Sequence, residues 1–155
     1  MELLHGCITS ESRGQAVVHP TQEQYLPLMK ELVDEGYVVC TDLCGVDYLL
    51  FPERTLPEGV VPERFEVVAN LIDLDRRRRL RVRLQVPAAD PVAPSLFDLW
   101  PGTEAMERET YDMFGIRFDN HPDLTRILMP EEWIGHPLRK DDDEARIPVQ
   151  FKGTR

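Results

Sequence analysis

Cysteine is scarce in this chain: Cys7, Cys40 and Cys44 are the only three. Zinc and iron–sulfur sites usually take four ligands in closely spaced pairs. Here Cys40 and Cys44 form a lone C-x-x-x-C and Cys7 is remote, so no metal centre is expected. The odd count, with no secretory signal peptide, predicts reduced thiols in the cytosol. Also missing is any apolar run approaching the roughly 20 residues of a membrane helix. No direct membrane span is expected, and any link to a membrane passes through another protein. Positive charge is short as well: 18 Lys and Arg stand against 28 Asp and Glu, for a net charge of −10 and a pI near 4.8. Phosphate-backbone binding needs a basic excess, so nucleic acid is not an expected partner. There is no Gly-rich phosphate loop and no dinucleotide fingerprint, so the chain is not expected to hold NADH or flavin itself.

The 155 residues suit one domain, and an apolar fraction of 42% is ordinary for a globular protein. One basic run, Arg76 to Arg79 continued by Arg81 and Arg83, interrupts the acidic background. Leu80, Val82 and Leu84 alternate with Arg81 and Arg83, which places the arginines on the opposite face of a strand. That face is either a solvated hairpin surface or a docking patch for an acidic partner.

Residues 15–19 read as a short strand ended by Pro20. Thr21 and Gln24 have capping-box spacing. Tyr25, Leu28, Met29 and Leu32 then mark one face of a helix with Gly36 as its C-cap. Pro27 removes a helical hydrogen bond, so the spacing predicts a kink or a late start there. Residues 37–43, 65–74 and 79–86 read as strands, the last two as a hairpin. A Pro/Gly loop spans roughly 51–64, a linker with three prolines spans 87–94, and Ser95–Leu99 predicts one helical turn. The strongest helix is 103–114, capped by Thr103 and ended by Gly115, with Met106, Thr110, Met113 and Phe114 on one face. The resulting order β-α-β-β-β-α predicts an α+β fold: a mixed β-sheet with helices packed on one face.

The tail, residues 116–155, holds no lasting period and carries Pro122, Pro130, Pro137 and Pro148. Yet it also carries Phe118, Ile127, Leu128, Met129, Trp133, Ile134, Leu138 and Phe151, more large apolar groups than disordered tails contain. Extended, it reaches about 130 Å. The expectation is a core domain over 1–115 and an extended partner-binding tail over 116–155, with packing back on the domain as the competing reading. His121, Asp123, His136 and Glu109 could be imagined as a hydrolytic or metal cluster. Their spacing puts no two ligands on one helix face, and both histidines precede prolines in extended segments.

Three linked motifs stand in order: Glu107-Arg-Glu-Thr-Tyr-Asp-Met-Phe-Gly-Ile-Arg-Phe118, His121-Pro-Asp-Leu-Thr-Arg-Ile-Leu128 and Trp133-Ile-Gly-His-Pro-Leu-Arg-Lys-Asp141. Upstream are Asp42-Leu-Cys-Gly-Val-Asp-Tyr48, Arg64-Phe-Glu-Val-Val68 and Ser95-Leu-Phe-Asp-Leu-Trp-Pro-Gly102. Together they resemble the C-subunit family of NADH:quinone oxidoreductase (respiratory complex I), from about residue 37 to 151. Ala105, Cys44 and Thr125 stand where that pattern has an aromatic residue, Thr and Arg. The resemblance implies a non-catalytic structural subunit in the peripheral arm of a proton-pumping complex, on the cytoplasmic side of the inner membrane. It implies no redox centre or metal in this chain, with FMN and iron–sulfur clusters in partner subunits and quinone bound by the complex. The large D subunit is the chief expected partner, with the B and I subunits nearby. Glu107, Glu109 and Asp112 are expected to face cations of a partner or of the tail. His121, Arg126, Trp133, His136 and Arg139 are expected as interface anchors. The equivalent subunit of a membrane-bound hydrogenase, or of a ferredoxin- or F420-dependent oxidoreductase, resembles the same pattern, and a stand-alone hydrolase using His121 and His136 is the reading from another class.

Overall fold

A computed structural model describes residues 3–142. The chain opens with two tight hairpins, β1 (Leu3–Leu4), β2 (Cys7–Ser12) and β3 (Gln15–His19). Their turns are His5-Gly6 and Arg13-Gly14, each with positive φ at both residues. That backbone is the primed turn whose twist matches a two-residue hairpin. Thr21 caps α1 (Gln22–Asp34) with both halves of the capping box in place. The helix starts at Gln22 and continues through Pro27, so the late start expected at that proline does not occur. Pro27 lies on the exposed face, where water can meet the Glu23 carbonyl that loses its donor.

Strands β4 (Val39–Asp47), β5 (Phe65–Asp73) and β6 (Arg78–Val86) follow. They complete a six-stranded sheet in the order β1-β2-β3-β6-β5-β4, with β3 and β6 parallel and the rest antiparallel. Alternation on β5 and β6 sends Phe65, Val67, Ala69, Leu71, Leu80, Val82, Leu84 and Val86 to one face, all buried. Tyr25, Leu28, Met29 and Leu32 of α1 join the same cluster.

The linker after β6 contains a further strand, β7 (Val92–Pro94), and Leu96 to Trp100 makes one hydrogen-bonded turn. A 3₁₀ turn over Pro101–Thr103 leads into α2 (Glu104–Phe114). Thr103 does not cap this helix with its side chain; its hydroxyl donates to the Trp100 carbonyl at 2.9 Å. α2 crosses β4 closely at Gly45, where a Cβ would lie 2.7 Å from Phe114 and 2.9 Å from Thr110. Both helices thus cover the same face of a mixed sheet, the α+β arrangement read from the sequence.

Past Gly115, β8 (Arg117–Asp119) pairs in parallel with β7. Ile116 and Phe118 are buried in the main core. The division expected at residue 115 therefore cuts through the core, because the start of the tail supplies part of it.

Candidate interface around the second helix

α2 carries two carboxylates that are fully buried, Glu107 and Asp112. Glu107 faces the turn at Ser95 and Leu96. Its oxygens accept from the Ser95 hydroxyl at 2.6 Å and the Leu96 N–H at 2.7 Å. Burial pushes its pKa up, against the pull of those donors and of His121. Glu109, two residues on, is exposed. The expectation that Glu107 reaches a neighbouring protein is corrected: its donors lie inside its own domain. Of the three acids, Glu109 is the one whose position leaves it open to a partner.

Asp112 organises the tail. One oxygen, Oδ2, accepts the consecutive backbone N–H groups of Ile127, Leu128 and Met129 at 3.0, 2.7 and 2.9 Å. The other takes the Arg126 guanidinium at 2.6 Å, and a second Arg126 nitrogen reaches the Gly135 carbonyl at 2.7 Å. Burial alone raises the Asp112 pKa, but the three N–H groups and Arg126 outweigh it and hold the carboxyl below its ordinary value. Charge-assisted bonds of this kind contribute about 1.5–3 kcal/mol each.

The end of α2 supplies the rest of the seat. The last carbonyls of any helix lack helical partners, and cations are favoured there by the helix dipole. Here the tail provides the donors. His136 Nδ1 donates to the Asp112 carbonyl at 3.0 Å, the Leu138 N–H to Met113 at 3.0 Å, and Arg139 Nε to Phe114 at 2.6 Å. Gly115 ends the helix at φ 72°, and a Cβ there would lie 2.6 Å from both His136 and Arg139. Burial lowers the His136 pKa, reinforced by Arg139 and Arg126 against the Asp112 carbonyl.

A second clasp closes the far end. Buried Asp47 holds Arg64 through two bonds of 3.0 and 2.9 Å and accepts the Lys140 N–H at 2.8 Å. Arg64 also grips Asp141.

Arg126, His136 and Arg139, expected as anchors on another protein, are thus anchors of the tail on its own domain. His121 joins them: its Nε2 donates to the Glu104 carbonyl at 3.1 Å, while Nδ1 accepts the Asp123 N–H at 3.1 Å. The carbonyls bound by His121 and His136 lie about 12 Å apart along α2, at 1.5 Å of rise per residue. The two histidines do not form one site. Trp133 is half-buried, and its indole N–H finds no acceptor among the described residues. What the seated tail presents outward is apolar: Leu128 is 62% exposed and Ile134 83%, with Ile127 and Leu138 beside them in sequence. Among the described residues no group of three His, Cys, Asp or Glu side chains could hold a metal ion. No helix there is long and apolar enough to cross a membrane.

The inward turn of these anchors stood in the sequence only as the competing reading. Its signal was a carboxylate at Asp112 in the last turn of a helix, where the dipole disfavours negative charge unless donors arrive from outside.

Residues 18–146 match the family described as the 30 kDa subunit of respiratory-chain NADH dehydrogenase. Among curated relatives, the NADH-quinone oxidoreductase C subunit of Saccharopolyspora erythraea is 40% identical over 145 residues, covering 92% of this chain and 55% of the relative. The C subunit of Roseiflexus castenholzii is 46% identical over 146 residues, covering 92% of this chain and 78% of the relative. The chain spans about half the length of several such relatives. A trypsin-resistant fragment of Nqo5 superposes with a TM-score of 0.69 at 35% identity, covering 77% of this chain and 91% of that one. The fold also appears in the membrane-bound sulfane sulfur reductase, an archaeal respiratory membrane complex, with a TM-score of 0.67 at 18% identity over 96% of this chain and 88% of that one. With a family match that runs through α1, the whole of the α2 seat and the tail clasps, this chain belongs to the 30 kDa subunit family of respiratory-chain NADH dehydrogenase.

Proposed function

We propose that the chain is a structural subunit of the peripheral arm of a proton-pumping NADH:quinone oxidoreductase and takes no chemical part in electron transfer. The observation that carries this reading is the division of labour in residues 121–142. Arg126 and Arg139, with His121 and His136, are spent on the chain's own helix, while Ile127, Leu128, Ile134 and Leu138 are held out to be covered. A rigidly seated loop with an apolar exterior suits docking, because little ordering remains to be done on binding. Buried Glu107 and Asp112 are satisfied by backbone and side-chain donors, so neither is poised to pass protons. FMN and iron–sulfur clusters then belong to companion subunits, and quinone binds the complex elsewhere. The large D subunit, with the B and I subunits, are the companions on the cytoplasmic side of the membrane.

Mild purification of the tagged chain from native membranes tests this. The companions expected are the large subunit and cluster-bearing subunits of an NADH-linked complex. The chain purified alone should be colourless, without stoichiometric iron or flavin. A large companion with paired nickel-ligating cysteines would assign the chain to a hydrogenase instead.

A further inference from the structure

The face of the sheet opposite the helices is capped at its Glu66 and Gln85 end by Tyr48 and Arg54 of the loop after β4, but lies open around Arg79 and Arg81, and there it gathers cations in a chain whose net charge is −10. Glu66, Val68, Asn70 and Ile72 of β5 share it with Arg79, Arg81 and Arg83 of β6. The basic run is not uniform. Arg76 and Arg78 are paired with Asp73, and Arg83 with buried Glu66 at 2.7 Å. Arg81 differs: half-buried, its Nε and Nη2 donate to the amide oxygens of Asn70 and Gln15, both at 3.1 Å. Those acceptors are neutral, so its charge is partly desolvated with no counter-ion among the described residues. Arg79, two residues back on the same face, is exposed and meets no carboxylate among them either.

Two adjoining clefts of about 220 and 350 Å³ flank Arg81. They share Asn70 and Arg81 as lining, and the second reaches Cys44 and Val68. We propose that this open sheet face is a second docking surface, and that its occupant is an acidic, partly apolar segment of a neighbouring protein whose carboxylates pair with Arg79 and Arg81. This extends the reading of the chain as one subunit of an assembly, and rests on it.

Charge complementarity at a defined spacing selects this occupant. Side chains two apart on a strand lie about 7 Å apart along it. A facing strand, or one turn of a facing helix, can present two carboxylates at close to that separation. The planar guanidinium fork takes a carboxylate through two parallel bonds. Val68 and Ile72 beside the arginines give the apolar part of such a segment a place to rest. A nucleic acid or anionic lipid surface is disfavoured, because both need a broad positive field and this chain is strongly negative.

Cys44 is a built-in reporter, since it is exposed on this face and is not part of the tail seat. In the unmodified protein, N-ethylmaleimide should label Cys44 at least tenfold more slowly in the native-membrane assembly than in the chain alone. In R79K/R81K, a carbodiimide should link the introduced lysines to an Asp or Glu of another protein, found by mass spectrometry of the purified complex. Equal labelling rates in a complex that retains its companions overturn the proposal while leaving the subunit reading intact. Links only within the chain, only to a second copy of it, or to no protein overturn it too. A chain that purifies without companions removes both readings together.

Discussion

Asp112 shows how a single carboxylate can fix a length of chain that has no period of its own. Its oxygens collect three consecutive N–H groups and one guanidinium. D112N keeps the shape but turns an amide N–H₂ toward donors, leaving Arg126 or the 127–129 backbone unpaired in a buried place. The expected cost is about 3–5 kcal/mol, measured by chemical denaturation. E107Q is the contrasting case. It loses one accepted bond, but it removes a charge whose burial is unfavourable, so about 1 kcal/mol or less is expected. The pH dependence follows from His136. Its folded pKa lies below the ordinary value near 6.5, so its contribution is complete above about pH 6.5 and declines as the pH falls through that value toward the folded one. Melting temperature should therefore drop between about pH 7 and 5, and H136N, whose amide can replace the Nδ1 donor, should flatten the curve. Buried His19 has a pKa lowered by burial and adds a slope of the same sign, so the flattening is partial. Asp112 and Asp47 are both held below their ordinary value, so their seats persist until the pH falls below about 4.

At the scale of elements, legibility followed the range of the forces involved. The capping box at Thr21 and Gln24, the helix face through Leu32, and the alternation on β5 and β6 are short-range patterns, and all three stand in the structure. Pro27 misled because a proline's cost depends on whether water can reach the orphaned carbonyl, which is a property of the folded surface. Residues 15–19 were read as a strand and are β3, but β1, β2 and their hairpin pairing were missed; Cys7–Ser12 is too polar to alternate clearly. β7 and β8 are short strands that exist because they find one another across a long sequence separation, Val92 against Arg117. The tail seat was legible only in part: a tail cation was one expected partner of Asp112, but the choice of Arg126 and of the 127–129 backbone depends on where the chain turns at Gly115. Two variants probe these elements. G115A places a Cβ against His136 and Arg139 in a left-handed backbone that itself costs about 1 kcal/mol or more. It should release the tail, read as faster proteolysis after residue 115 with the sheet retained. Cutting the chain after Gly115 goes further, since it removes Ile116 and Phe118 from the core and β8 from β7. That fragment should melt without cooperativity, read by circular dichroism.

Among the described residues the fold has one core and two exposed faces of different character. The helix-covered face of the sheet is the core, the open sheet face carries Arg79 and Arg81, and the seated tail presents apolar side chains. On the proposed reading, what such a domain contributes to its assembly is shape: the tail, locked onto α2, is the docking surface of a structural subunit. L128D/I134D tests this most directly, because both side chains are exposed and the changes should not affect the fold. With hot spots worth roughly 2 kcal/mol each, about 30-fold in affinity, the double variant should melt like the parent yet lose its companion subunits on purification from native membranes. A variant that melts normally and still brings down the full complex in parental yield would contradict the account.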